Sequence, residues 1–141
     1  MSSLLIPVDG SEDALRAIDY VTRNQDMFAP LELHLINVQP PLVSGGVRLF
    51  INADTIRMFH EEQGQSDLAK AMAMLDQARI PYQSEVRVGP IAATIAAAAQ
   101  HHQCDQIIMT LQGSGAGAKL WIGSTLVKVL LQSSVPVTVV K

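Results

Sequence analysis

The chain has 141 residues, 48% of them apolar and 16% charged, which suffices for one domain with a full core and excludes a disordered chain. Its formal net charge is −3 at pH 7 and no basic stripe runs along it, which argues against a nucleic-acid or anionic-membrane partner. The single cysteine, Cys104, excludes an intrachain disulfide and points to the reducing cytosol, so a cytoplasmic location is expected.

Met1-Ser2-Ser3 leads straight into an apolar run, with no basic region or cleavage site ahead of it, and reads as a chain without a secretory leader. Leu4 to Val8 reads as a first strand closed by Asp9-Gly10-Ser11. Ser11 can cap the helix that follows. Glu12 and Asp13 suit its first turn, and Ala14, Ala17, Ile18 and Val21 recur at helical spacing. Pro30 precedes a second strand, Leu31 to Val38. The stretch from Gln39 to about Ala53 holds Pro40-Pro41 and Gly45-Gly46 and reads as a long loop. Asp54 is expected to cap the next helix, whose apolar positions include Ile56, Phe59, Leu68, Met72 and Leu75. Gly64 is expected to weaken it midway.

From Tyr82 to Val88 the residues alternate. Tyr82, Ser84, Val86 and Val88 face one way and Gln83, Glu85 and Arg87 the other, the pattern of an edge strand with one wet face. Gly89-Pro90 starts a third helix running to about His102. Its most apolar part, Ile91 to Ala99, is too short and too rich in alanine to span a bilayer. Gln106 to Met109 is a fourth strand and Ser124 to Leu131 a fourth helix. Pro136 precedes a final strand, Val137 to Val140.

Strands alternating with helices from end to end imply one α/β domain over residues 1–141, with a doubly wound five-stranded parallel sheet and helices on both faces. Ligands of such sheets sit outside the C-terminal strand ends, where the strand order reverses. If the first and fourth strands are neighbours there, Asp9 meets the glycine-rich segment running from Thr110 to Gly123. That segment leads from a strand to a Gly-Ser pair expected to open a helix. Its spare backbone N–H groups and the helix N-terminus make a place for an anion, most often phosphate. There is no G-x-x-x-x-G-K-[ST], so it is not a P-loop.

Several side chains have two readings open to them. Asp9 can accept a hydrogen bond from a bound ligand or cap the turn before the first helix. Ser124 can donate to phosphate or serve as an ordinary helix cap. Lys119 can reach a γ-phosphate or stand in solvent. His101-His102 reads as a solvated helix end and not a metal site, because adjacent helical residues point in different directions. Trp121 reads as an anchor packing the loop, and Met58, Met72, Met74 and Phe59 as core or interface. No nucleophile–base set is present and no second carboxylate is placed beside Asp9. No catalytic residue or metal ligand is therefore assigned, and any hydrolysis of a bound phosphate ester is expected to be slow. The closing Val137-Thr138-Val139-Val140 is an apolar edge that a two-fold partner would cover.

Taken in order, these pieces resemble the universal stress proteins. The matching residues are Leu4-Leu5-Ile6-Pro7-Val8-Asp9-Gly10-Ser11, Leu35-Ile36-Asn37-Val38, Val88-Gly89-Pro90, Asp105-Gln106-Ile107-Ile108-Met109, Gly123-Ser124-Thr125, and Ser134-Val135-Pro136-Val137-Thr138-Val139-Val140. The resemblance covers essentially the whole chain and implies a Rossmann-like sheet in the order 3-2-1-4-5. The nucleotide-binding branch of that family carries Gly, two residues, Gly, nine residues, then Gly-Ser or Gly-Thr. Here Gly113 and Gly123-Ser124 hold the second and third places, and Thr110 stands in the first.

The resemblance implies that Pro7, Val8, Asp9 and Val38 line adenine and ribose. Thr110, Gly113, Ser114 and Gly115, with Gly123, Ser124 and Thr125, would hold the phosphates of ATP or AMP, with Mg²⁺ beside ATP. It implies a cytoplasmic stress-response signalling or regulatory homodimer joined through Val137, Thr138, Val139 and Val140, with further protein partners unknown. A side chain at Thr110 crowds the place of a glycine, while Gly115 and Gly117 add compensating flexibility. The alternative is a member of the same family that has lost nucleotide binding and acts only through protein–protein contacts.

Overall fold

The computed structural model describes residues 2–42, 52–111 and 116–141, with side chains described outside 116–123. The glycines at 45 and 46 therefore lie outside the described residues. The elements in chain order are β1 (Ser2–Pro7), α1 (Ala14–Arg23), the short α2 (Gln25–Phe28), β2 (Leu31–Gln39), α3 (Ala53–Gln77), β3 (Gln83–Val88), α4 (Ile91–His101), β4 (Gln106–Thr110), α5 (Ala116–Gln132) and β5 (Val137–Val140). The strands form one parallel sheet in the order β3-β2-β1-β4-β5. That is the doubly wound, Rossmann-like arrangement expected from the alternating elements.

Alternation along the central strands divides the core into two layers. Leu4, Ile6, Leu33 and Leu35 face α1 and α3, meeting Ala17, Ile18, Val21, Leu68, Ala71 and Leu75. Leu5, Ile36, Ile107 and Met109 face α4 and α5, meeting Ala92, Ile95, Ala98, Leu126 and Val129. Leu4, Leu5, Ile6, Ile107 and Ile108 are all fully buried, so β1 and β4 read as near-continuous apolar runs, as strands covered on both faces must. Pro7 closes β1, where the missing N–H costs no ladder bond. Among the described residues no helix is long and apolar enough to cross a membrane.

Local chemistry explains two helix starts. The Ser11 hydroxyl accepts the Ala14 N–H at 3.3 Å in the turn ahead of α1, although the residue at the cap position itself is Asp13, whose side chain makes no cap bond. At α3 the cap is Asn52 and not Asp54. Asn52 Oδ1 accepts the Thr55 N–H at 2.8 Å, and Asp54 pairs with Arg57. The buried stripe of α3 runs His60, Gly64, Leu68, Ala71, Leu75. Phe59 and Met58 lie just before that stripe, rotated out, and are 50% and 61% exposed, so neither joins the core.

Gly64 does not break α3. A Cβ there would lie 2.5 Å from both methyl carbons of Val86, so the glycine is what lets the helix approach β3. The strand β3 is an edge, as its alternation suggests, but it begins at Gln83 and neither face is simply wet. Val86 packs under α3, while Glu85 and Arg87 pair at 3.0 Å on the other side and are also part-buried. Ser84 and Val88, expected on the inner face, are exposed.

The last helix departs most from expectation. It covers Ala116–Gln132 and not Ser124–Leu131, because Ala116, Ala118, Lys119 and Leu120 are strong helix formers and carry it back toward β4. The Gly123-Ser124 pair thus lies inside a helix and does not open one.

Candidate functional site

A crevice opens where β1 and β4 separate. These strands pair only at Leu4 with Gln106 and Leu5 with Ile107, whereas β1 and β2 stay paired to Pro7 and Ile36. Beyond Leu5 the backbones part at the C-terminal strand ends, the position expected of a ligand site in this topology. The crevice encloses about 460 Å³, part of it open to solvent.

Its walls come from every element around the switch point. Pro7, Val8 and Asp9 extend from β1, Ile36 and Val38 from β2, and Met109 and Thr110 from β4; Ala14 belongs to α1, Ile91 and Ile95 to α4, and Thr125 to α5. Six residues singled out from the sequence, Pro7, Val8, Asp9, Val38, Thr110 and Thr125, thus meet in one crevice. Ala14, Ile36, Ile91, Ile95 and Met109 were missed because they read as core. Their signal was present, however. Ile91 and Ile95 are four apart on one helical face, and Ile36 and Met109 end their strands on the side facing that helix.

Polar groups converge at the apolar slot. Asp9 Oδ1 accepts from the Ser11 N–H at 3.0 Å and the Ser11 hydroxyl at 2.6 Å. The turn-capping reading of Asp9 is therefore real. Only one carboxylate oxygen is so used, and Asp9 Oδ2 has no hydrogen-bond partner among the described residues. Thr110 is 5% exposed and lines the crevice, yet its hydroxyl has no hydrogen-bond partner among the described residues. A slot of apolar side chains with a few unsatisfied polar groups is the usual form of a small-molecule site.

A second cavity adjoins the first and shares Ile91 and Thr125 with it. Pro90, Ala92 and Ala93 at the start of α4 line it, with Ser124, Lys128 and Gln132 of α5. Ser124 is exposed here, and Lys128 supplies a positive charge. Gly113, Ser114 and Gly115 lie outside the described residues, as do the side chains of Lys119 and Trp121.

The remaining reactive groups stand apart from the crevice. His102 is not solvated as its place at a helix end suggested. It stacks on buried His34 at 4.5 Å between ring centres and bonds Glu85 at 2.9 Å. Among the described residues no cluster of side chains could hold a metal ion. Burial, with smaller contributions from the Glu32 and Asp105 carboxylates, pushes the Cys104 thiol up against a hydrogen bond from Ser3. The thiol is free and lies in the core, 7% exposed. Among the described residues no histidine, lysine or cysteine lines the crevice.

The sequence profile of the universal stress protein family matches residues 1–141. A crystal structure of a protein of that family from Burkholderia pseudomallei superposes with a TM-score of 0.72 at 20% identity, covering 99% of this chain and 95% of that one. An Arabidopsis thaliana family protein with AMP bound has a TM-score of 0.66 at 14% identity, over 100% and 92% of the two chains. The universal stress protein from Archaeoglobus fulgidus in complex with dAMP has a TM-score of 0.69 at 15% identity, over 100% and 98%. Among curated proteins the sequence finds no match.

Proposed function

Because the chain belongs to the universal stress protein family, we propose that it binds an adenine nucleotide and acts as a cytoplasmic stress-response regulatory dimer. One observation carries the reading: an apolar slot at the β1–β4 switch point onto which Asp9 Oδ2 and the Thr110 hydroxyl bring polar groups with no protein partner among the described residues. Relatives of the same fold bind AMP and dAMP, which supports the same ligand class here.

In this reading the base lies between Val38 and the isoleucines of α4. Asp9 Oδ2 takes a ribose hydroxyl or the adenine amino group. The phosphates run past Thr110 and Thr125 toward Ser124 and Lys128, with Gly113, Ser114, Gly115 and Gly123 on the loop side, and Mg²⁺ would accompany ATP. Among the described residues no histidine, lysine or cysteine lines the crevice, and in this reading occupancy itself is the signal and any hydrolysis is slow.

A second reading has its own support. Thr110 puts a branched, 5% exposed side chain into the crevice wall, and the chain would then act only through protein contacts. Calorimetry with ATP, ADP and AMP in the presence of Mg²⁺ separates the two. Heat of binding is expected; none at millimolar ligand establishes the interaction protein.

A further inference from the structure

On the α3 side of the sheet, behind the crevice, two buried amides meet the half-buried carboxylate of Asp67, whose Oδ1 accepts from exposed Gln63 at 3.2 Å. Asn37 and Gln39, near the end of β2, are 1% and 7% exposed. Asn37 Nδ2 donates to the Val8 carbonyl at 2.8 Å and to Asp67 Oδ2 at 3.2 Å. Gln39 Nε2 donates to Asn37 Oδ1 at 2.7 Å and to the same Asp67 oxygen at 3.2 Å. Gly10, at φ +86°, rests on that carboxylate, where a Cβ would come within 2.7 Å of Asp67 Oδ1. Burying such groups costs free energy unless each is bonded, and apolar side chains would fill the same space. What this cluster does that an apolar one cannot is hold a carbonyl oxygen.

The direction of that carbonyl matters. The Val8 N–H bonds the Ile36 carbonyl of β2 at 2.8 Å, and Asn37, also of β2, takes the Val8 carbonyl. Val8 thus turns both backbone groups toward β2. In a trans peptide the C=O and the next N–H point opposite ways, so the Asp9 N–H is turned toward β4 and the crevice. Among the described residues it has no acceptor.

We infer that Asn37 and Asp67 are positioning residues for the ligand: Asn37 holds the Val8 carbonyl, Asp67 holds Asn37 and packs against Gly10, and together they present the Asp9 N–H and carboxylate to a bound nucleotide. This rests on the nucleotide-binding reading above. A donor and an acceptor on one residue suit a ligand group that accepts and donates at once, such as a hydroxyl.

The test is a double-mutant cycle on AMP affinity, measured by calorimetry for the wild type, Asp67→Ala, Asp67→Asn, Asp9→Asn and the Asp67→Ala/Asp9→Asn pair, with thermal unfolding of each. Asp67→Ala is expected to weaken AMP about tenfold, the loss of one well-placed hydrogen bond to a charged group, without a matching fall in unfolding midpoint. Asp67→Asn keeps one carbonyl oxygen for Asn37 and Gln39 and should restore most of the affinity. The double variant should lose less than the two single losses combined, because part of what Asp67 does passes through the Asp9 carboxylate that Asp9→Asn has already changed. Additive losses, an Asp67→Asn as weak as Asp67→Ala, or losses that follow the unfolding midpoint would overturn the assignment while nucleotide binding stands. A wild type that binds no AMP overturns the nucleotide reading and this assignment together.

Discussion

At Thr110 a hydroxyl and a methyl occupy a place where backbone alone would leave room. The residue is 5% exposed and on the crevice wall, so relief of crowding should dominate when it is trimmed. Thr110→Gly is expected to tighten AMP about 5- to 150-fold, the equivalent of ~1–3 kcal/mol of overpacking. Weaker binding in calorimetry would instead assign its hydroxyl to a ligand contact. Lys128 is exposed on the second cavity, where its charge is partly screened. Lys128→Glu should weaken ATP about two- to fivefold relative to adenosine at low salt, and equal losses for both would detach Lys128 from the phosphates. Glu85 is a residue whose effect depends on pH. Burial pushes its carboxyl up, but hydrogen bonds and charge from His102 and Arg87 outweigh that and hold it below the ordinary 4.5. A lowered carboxylate stabilises the fold above its unfolded value and ceases to do so as pH falls through the folded one. Urea unfolding should therefore show Glu85→Gln losing less stability than the wild type between about pH 5 and pH 3, and parallel losses would contradict this.

The long helix α3 shows how an element is placed by its neighbours. Its capping at Asn52 and its inward stripe set its direction, but Gly64 sets its distance from the sheet. A methyl there meets Val86 at 2.5 Å on both branches, and Val86 is held in register by the pairing of β3 with β2. Gly64→Ala should destabilise by ~1–3 kcal/mol in urea unfolding although alanine favours helices. Adding Val86→Ala should recover part of that loss, and a stabilised Gly64→Ala would show that α3 can move away. The same helix brings Asp67 against Gly10, so its distance from the sheet also bears on the ligand site.

For the molecule as a whole the open question is its free edges. The strand β5 pairs with β4 on one side only. Leu111 N–H bonds the Val140 carbonyl at 3.0 Å and Ile107 N–H bonds that of Pro136 at 2.9 Å, so the alternating groups of Val137 and Val139 face outward. Val139 is 37% exposed, and α5 adds Val127, Leu130 and Leu131 at 56%, 50% and 81%. An apolar edge of this kind invites pairing with a second copy. The expected mass by light scattering at micromolar concentration is twice 15.2 kDa. Val139→Pro removes an outward N–H without breaking the β4 ladder and should shift the protein toward monomer; a wild-type mass of 15.2 kDa would rule the dimer out.

Strand and helix succession, the switch-point position of Asp9 and the turn-capping role of Ser11 were legible in the residues, because they rest on local periodicity and on hydrogen bonds within a few residues. So was the meeting of Asp9 with Thr110, since strand order alone brings the ends of β1 and β4 together; the places of Pro7, Val8, Val38 and Thr125 followed from the likeness to the universal stress proteins. Distances between elements were not legible. That Gly64 admits Val86, that Phe59 turns outward while His60 turns in, that Ser124 sits within a helix, and that Asp67 reaches Asn37 and Gln39 from a helix about thirty residues away depend on close packing of segments distant in sequence. Periodicity states which face of an element is apolar; only the packed fold decides which neighbour fills it and where a buried amide must point.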